Sequence, residues 1–259
     1  MQRSLLLAAM LLAAGATVVH AQQATNDANP LFRPLAIRMS TISVPPIAGA
    51  PFSATALIDN QQVMSDGTVA ASRNINLIGR DSRGRTHGEM RSRVPESSQD
   101  MPPLVEVHIY DPQTRVQTIW YTATHIASRQ VRPEPISTGF PNRPDPQVTV
   151  EDLGPGTLNG IDVKGTRRTV TVPAQMNGMG APITVVDEYW YSEDLHVNIL
   201  LRHTDPRTGL QTVALSNIKR EEPPLSFFEV PADYKAVDLT PPPGAPMAPG
   251  RVEAGRPRP

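Results

Sequence analysis

The chain has 259 residues, with 24 Lys and Arg against 25 Asp and Glu, 28 Pro, 17 Gly and no Cys. A near-neutral balance excludes a nucleic-acid binder of the phosphate-neutralising kind, which needs a basic excess. The missing cysteine excludes disulfides, thiolate catalysis, Cys-based zinc sites and lipoprotein acylation.

The first 21 residues, MQRSLLLAAMLLAAGATVVHA, read as an export signal. Arg3 precedes an uncharged apolar run from Leu5 to Val19, and Val19-His20-Ala21 closes it as a small-residue cleavage site after Ala21. The run is shorter than the ~20 residues of a spanning helix. The chain left after cleavage is expected to be periplasmic or secreted and not an integral membrane protein.

Three Pro-rich lengths mark what is expected outside the core. Residues 22–51 form an N-terminal linker, residues 131–147 carry Pro133, Pro135, Pro141, Pro144 and Pro146, and residues 239–259 form a disordered tail. Proline removes a backbone donor and favours extended chain, so none of these nucleates helix or sheet. One β-rich domain is expected over 52–238, interrupted at 131–147.

Between the linkers the pattern is a run of hairpins. Phe52 to Ile58 leads through Ser65-Asp66-Gly67 to Val69–Gly79, and Asp-Gly between alternating segments signals a turn. Apolar alternation sets Ile58 against Ile75, Ala56 against Leu77 and Ala54 against Gly79. After Asp81-Ser82-Arg83-Gly84, it sets Leu77 against Gly88 and Ile75 against Met90. Arg85, His87, Glu89, Arg91 and Arg93 then share the opposite side. Asp111-Pro112 and Asp205-Pro206 start two further turns, since Pro presets φ at the second position. Ile161–Val172 and Ile183–Tyr191 pair across the loop from Pro173 to Pro182. About nine strands follow, well above the ordinary strand share. Helix signals reduce to single turns at Val150–Leu153 and Leu225–Phe228. The fold class is therefore mainly β, with a strongly curved antiparallel sheet or unclosed β-barrel and little helix; the alternative is a two-sheet β-sandwich.

Four stretches carry a family likeness: Gly160–Arg167 (GIDVKGTR), Glu188–Leu195 (EYWYSEDL), the DPRTG turn at 205–209, and Phe228–Tyr234 (FEVPADY). From Phe52 to Tyr234 the chain resembles uncharacterised exported bacterial proteins of the LolA/LolB periplasmic lipoprotein-carrier type. The resemblance implies an unclosed antiparallel β-barrel around an apolar cavity.

No catalytic constellation emerges. The histidines beyond the leader, His87, His108, His125, His196 and His203, form no HxH or HExxH pattern, so no metal site is expected. There is no G-x-S-x-G elbow and no phosphate loop. Adjacent carboxylates such as Asp187-Glu188 point to opposite faces of a strand, and no cofactor is indicated.

Two candidate binding sets remain. Trp120, Tyr121, Tyr189, Trp190 and Tyr191, with Ile75, Leu77 and Met90, are candidate ligand contacts on a concave wall, against the alternative of plain core packing. Arg85, Arg91 and Arg93 are candidate anion contacts, against the alternative of a charged solvent face. The function expected is binding of a hydrophobic small molecule or lipid, such as an acyl chain, without catalysis. The alternatives are an envelope interaction module, docking a partner protein through a sheet edge or the Pro-rich termini, and a hydrolase with a dispersed site.

Overall fold

The computed structural model describes residues 42–64, 66–98, 100–133 and 147–240. The expected leader, most of both Pro-rich linkers and almost all of the tail lie outside the described residues.

Thirteen strands follow in chain order: β1 (Phe52–Val63), β2 (Val69–Arg80), β3 (Thr86–Arg91), β4 (Val94–Pro95), β5 (Leu104–Asp111), β6 (Val116–Tyr121), β7 (Ile126–Val131), β8 (Val148–Leu158), β9 (Ile161–Val172), β10 (Ile183–Ser192), β11 (Val197–Asp205), β12 (Gly209–Lys219) and β13 (Lys235–Asp238). They form one sheet with the order β13-β7-β6-β5-β3-β2-β1-β12-β11-β10-β9-β8, and β4 pairs with β2. All pairs are antiparallel except β13 with β7. Among the described residues the path starts at β13 and ends at β8, so the sheet is open and no two-sheet sandwich is formed. Val150–Leu153, read as a helical turn, lies inside β8, whereas Leu225–Phe228 does form a 3-10 turn.

One turn chemistry recurs. Carboxylate oxygens of Asp66, Asp81, Asp111, Asp152, Asp205 and Asp238 each accept from the backbone N–H two residues on. A short acceptor that satisfies its own turn is why Asp is favoured there. At the end of DPRTG, Gly209 sits at φ +89°, and a Cβ would run into the Gln61 carbonyl.

The sheet curls. In a flat sheet β9 and β12, three strands apart, would lie ~14 Å from each other at the usual spacing. Yet Asn159, in the turn before β9, donates through Nδ2 to the Leu215 carbonyl of β12 at 2.7 Å. Ile161 and Val163 accordingly join one core with Phe52, Ala54, Ala56, Ile58, Val213 and Leu215.

That core differs from the expected one by one residue of register. β1 and β2 pair Ile58 with Asn74, Ala56 with Asn76, Ala54 with Ile78 and Phe52 with Arg80. The first closing pair is Val63–Val69, around a five-residue loop whose Thr68 N–H and hydroxyl both bond Asp66. A slip of one residue turns every side chain over. Ile75 and Leu77 therefore leave the core face, while Asn76 and Arg80 are fully buried on it. The β2–β3 pairing shifts likewise, to Ile78–Gly88 and Gly79–His87.

A second core occupies the opposite face. Gly88 pairs with His108, so the face of Ala54 and Ile78 continues through His108, and Ile109 points the other way. There Val107, Ile109, Trp120, Ala127 and Phe228 pack together. They are covered by residues 225–238, which run from the Leu225–Phe228 turn to β13, itself parallel to β7.

Candidate functional site: a cleft beside the N-terminal segment

The cleft lies where the first core gives out. Its floor is the inner face of β3, β5 and β6, and its wall is Ile42, Ser43 and Val44; its volume is about 320 Å³. Cross-strand pairing lays the floor in three rows: Met90–Glu106–Tyr121, Gly88–His108–Ile119 and Thr86–Tyr110–Gln117. The centre is hollow because Gly88 has no side chain, and a Cβ built there meets nothing within 4 Å.

Residues 42–50, expected as linker, are fastened to the sheet by Arg80. Its Nη1 donates to Pro45 O at 2.9 Å, and Nε and Nη2 donate to Ala50 O at 3.0 and 2.7 Å. Ile42 is buried in the first core, with Val44 packed against it. The wall is thus a structural element and not a loose arm.

The Met90–Glu106–Tyr121 end of the cleft carries a carboxylate. The Glu106 side chain is only 12% exposed and lies 2.8 Å from His108 Nε2. Tyr121 stands directly across from Glu106; its phenol is pushed up by burial, and further by the charge of Glu106 and a hydrogen bond to it. Among the described residues, no Lys or Arg lines the cleft, and no group of three or more His, Cys, Asp or Glu could hold a metal ion.

The reverse side of the same strands is sealed. His87 stacks flat on Phe227, ring centroids 3.7 Å apart, and Arg85 lies 4.7 Å over Phe228. Tyr234 meets Trp120 edge-on at 4.8 Å and stacks on His125 at 4.9 Å.

The sequence-derived ligand contacts are dispersed by this geometry. Met90 lines the cleft, and Tyr121, exposed, flanks its carboxylate end. Trp120 is buried on the reverse face. Tyr189 is buried in the first core, and Trp190 lies over Gly156 and Gly165, where a Cβ would come within 3.1 and 2.8 Å of its ring. Tyr191 is half-buried near Arg80, its phenol raised by burial and by Glu193 against the opposing pull of Arg80. Ile75 and Leu77 are half-buried on the face opposite the first core.

The three candidate anion contacts are not assembled either. Arg85 bonds Asp81 at 2.6 Å, Arg91 bonds Glu89 at 2.7 Å and the Pro102 carbonyl at 3.0 Å, and Arg93 is exposed. Glu106 and His108 were missed, although residues two apart on a strand share a face and this spacing was readable.

Elsewhere the inner face carries a polar rung across five strands: Arg168, Asp187, His203, Gln211 and Asn60. His203 Nδ1 lies 2.6 Å from Asp187, Arg168 reaches Asp187 at 3.5 Å, and Gln211 donates to Asn60 at 2.8 Å. Each polar group of the rung thus has a neighbour, as burial requires.

No protein-family model matches the sequence, and no curated protein matches it. Among solved structures the chain is similar to an uncharacterised conserved protein from Thermus thermophilus, at 10% identity over 73% of this chain and 91% of that one, TM-score 0.39. It is also similar to a chain of the MucA/MucB complex from Pseudomonas aeruginosa, at 10% identity over 72% of this chain and 58% of that one, TM-score 0.38. A LolA superfamily protein from Nitrosomonas europaea is similar at 9% identity over 71% of this chain and 91% of that one, TM-score 0.29. Among the described residues no helix is long and apolar enough to cross a membrane.

Proposed function

We propose that the protein is an exported, non-enzymatic binding protein that holds one apolar chain in the cleft between Ile42–Val44 and the β3–β5–β6 floor. The observation that carries this reading is the open space above Gly88, bounded by the apolar side chains of Ile42, Val44 and Met90. A volume of about 320 Å³ stands at the lower end of small-molecule sites, ~300–1,000 Å³. Counting ~30 Å³ for each heavy atom, the share of one water, it admits a chain of about ten carbons. Export rests on the leader-like first 21 residues.

Gly88→Val tests the reading. A β-branched side chain suits a strand and meets no atom at its Cβ, so the fold is expected to persist while the hollow fills. Delipidated wild-type protein is expected to take up a fluorescent acyl probe saturably, and Gly88→Val to lose that uptake with an unchanged circular dichroism spectrum. Uptake by Gly88→Val equal to wild type, or none by wild type, would overturn the reading.

A further inference from the structure

We infer that the cleft selects amphiphiles whose head is a primary ammonium over those whose head is a carboxylate, a specificity that rests on the binding reading above. Glu106 sits on the floor beside Met90, in the row that leads from Met90 to Tyr121. Its carboxylate is largely withdrawn from solvent, with His108 Nε2 at 2.8 Å and the Tyr121 phenol as neighbours. A carboxylate offers about four acceptor sites, so these two partners leave room for a further donor.

The other charges around the cleft sharpen the choice. Glu89, also at the lining, is already matched by Arg91 at 2.7 Å. Among the described residues neither a Lys nor an Arg lines the cleft, so an anionic head would meet Glu106 with no lysine or arginine to offset it. An ammonium would form a charge-assisted hydrogen bond, which is shorter and stronger than a neutral one. Filling the cleft with an alkyl chain excludes water and strengthens both the attraction and the repulsion. A hydroxyl head, a donor without charge, falls between the two.

Isothermal titration of the leader-free protein with decylamine, decanol and decanoate at pH 7 separates these outcomes. Decylamine is expected to bind about tenfold or more tightly than decanoate, the scale of one hydrogen bond to a charged group. Glu106→Gln keeps the shape and removes the charge. It is expected to bring decylamine to within about twofold of decanol. Equal binding of the three heads, tighter binding of decanoate, or an amine preference that survives Glu106→Gln would overturn the inference while leaving the cleft reading standing. Failure of all three to bind would overturn the cleft reading, and the inference with it.

Discussion

Arg80 Nη2 donates to the carbonyl oxygen of Leu195 at 2.7 Å, joining positions 115 residues apart in the chain. The same guanidinium holds Pro45 and Ala50 and lies 5.3 Å over the Phe52 ring. One buried side chain therefore ties the cleft wall, the second strand and the β10–β11 turn together. Burial lowers its pKa from the usual guanidinium value, but an arginine stays charged at any ordinary pH.

Arg80→Met is expected to destabilise the protein by about 3 kcal/mol or more, because three backbone carbonyls lose a charged donor in a closed interior. Arg80→Lys is not expected to rescue it, since one ammonium cannot reproduce the guanidinium fork. Urea unfolding measures the loss, and hydrogen exchange in residues 42–50 should rise in both variants. Wild-type stability in Arg80→Met would remove Arg80 as the fastener.

The Asp187–His203 pair makes a second stability prediction. Asp187→Ala leaves His203 and Arg168 without their shared carboxylate inside the sheet. Breaking such a buried pair costs ~3–5 kcal/mol. Unfolding midpoints should fall accordingly, whereas a loss below about 1 kcal/mol would place the pair in the class of exposed ion pairs.

Two glycines on adjacent strands should respond oppositely to alanine. A Cβ at Gly79 would stand 2.7 Å from the Phe52 carbonyl oxygen and 2.9 Å from Phe227. Gly79→Ala is expected to cost ~1–3 kcal/mol as overpacking. Gly88→Ala meets open space and is expected to be neutral or to gain up to ~1 kcal/mol through the unfolded chain. Thermal melts of the two variants check the contrast.

Acid stability should depend on Asp205. The Arg207 hydrogen bond holds its carboxyl below the ordinary 3.8, outweighing burial, which pushes the other way. With the folded pKa below the unfolded one, the ionised carboxylate stabilises the fold above about pH 4. That contribution drains away as pH falls through the folded value. Arg207→Ala should raise the carboxyl pKa, seen by carboxyl carbon NMR, and shrink the stability lost between pH 5 and pH 2 (about one carboxyl's share). An unmoved Asp205 titration in the variant would contradict this.

The strands were legible where polar and apolar residues alternate and an Asp turn follows, as at Leu104–Asp111 and Val197–Asp205. Register was not, because alternation favoured Ile75 and Leu77 inside, whereas the structure buries Asn76 and Arg80. Partners such as the Arg91 N–H for Asn76 and distant carbonyls for Arg80 make their burial tolerable, and none of these is signalled locally. β7, Ile-Ala-Ser-Arg-Gln-Val, was overlooked because its polar residues conceal a strand that buries Ala127 alone. Of the cleft, Met90 was found through its place on the β3 face. Ile42 and Val44 were hidden in a Pro-rich stretch that composition marks as linker.

The most direct test of the cleft follows the methionine methyl groups by NMR during titration with decanol. Met90 lines the cleft, while Met176 and Met179 are exposed in the β9–β10 loop. The Met90 methyl signal is predicted to shift saturably while those of Met176 and Met179 stay in place. A stationary Met90 signal, or equal shifts at all three, would contradict a ligand seated over Gly88.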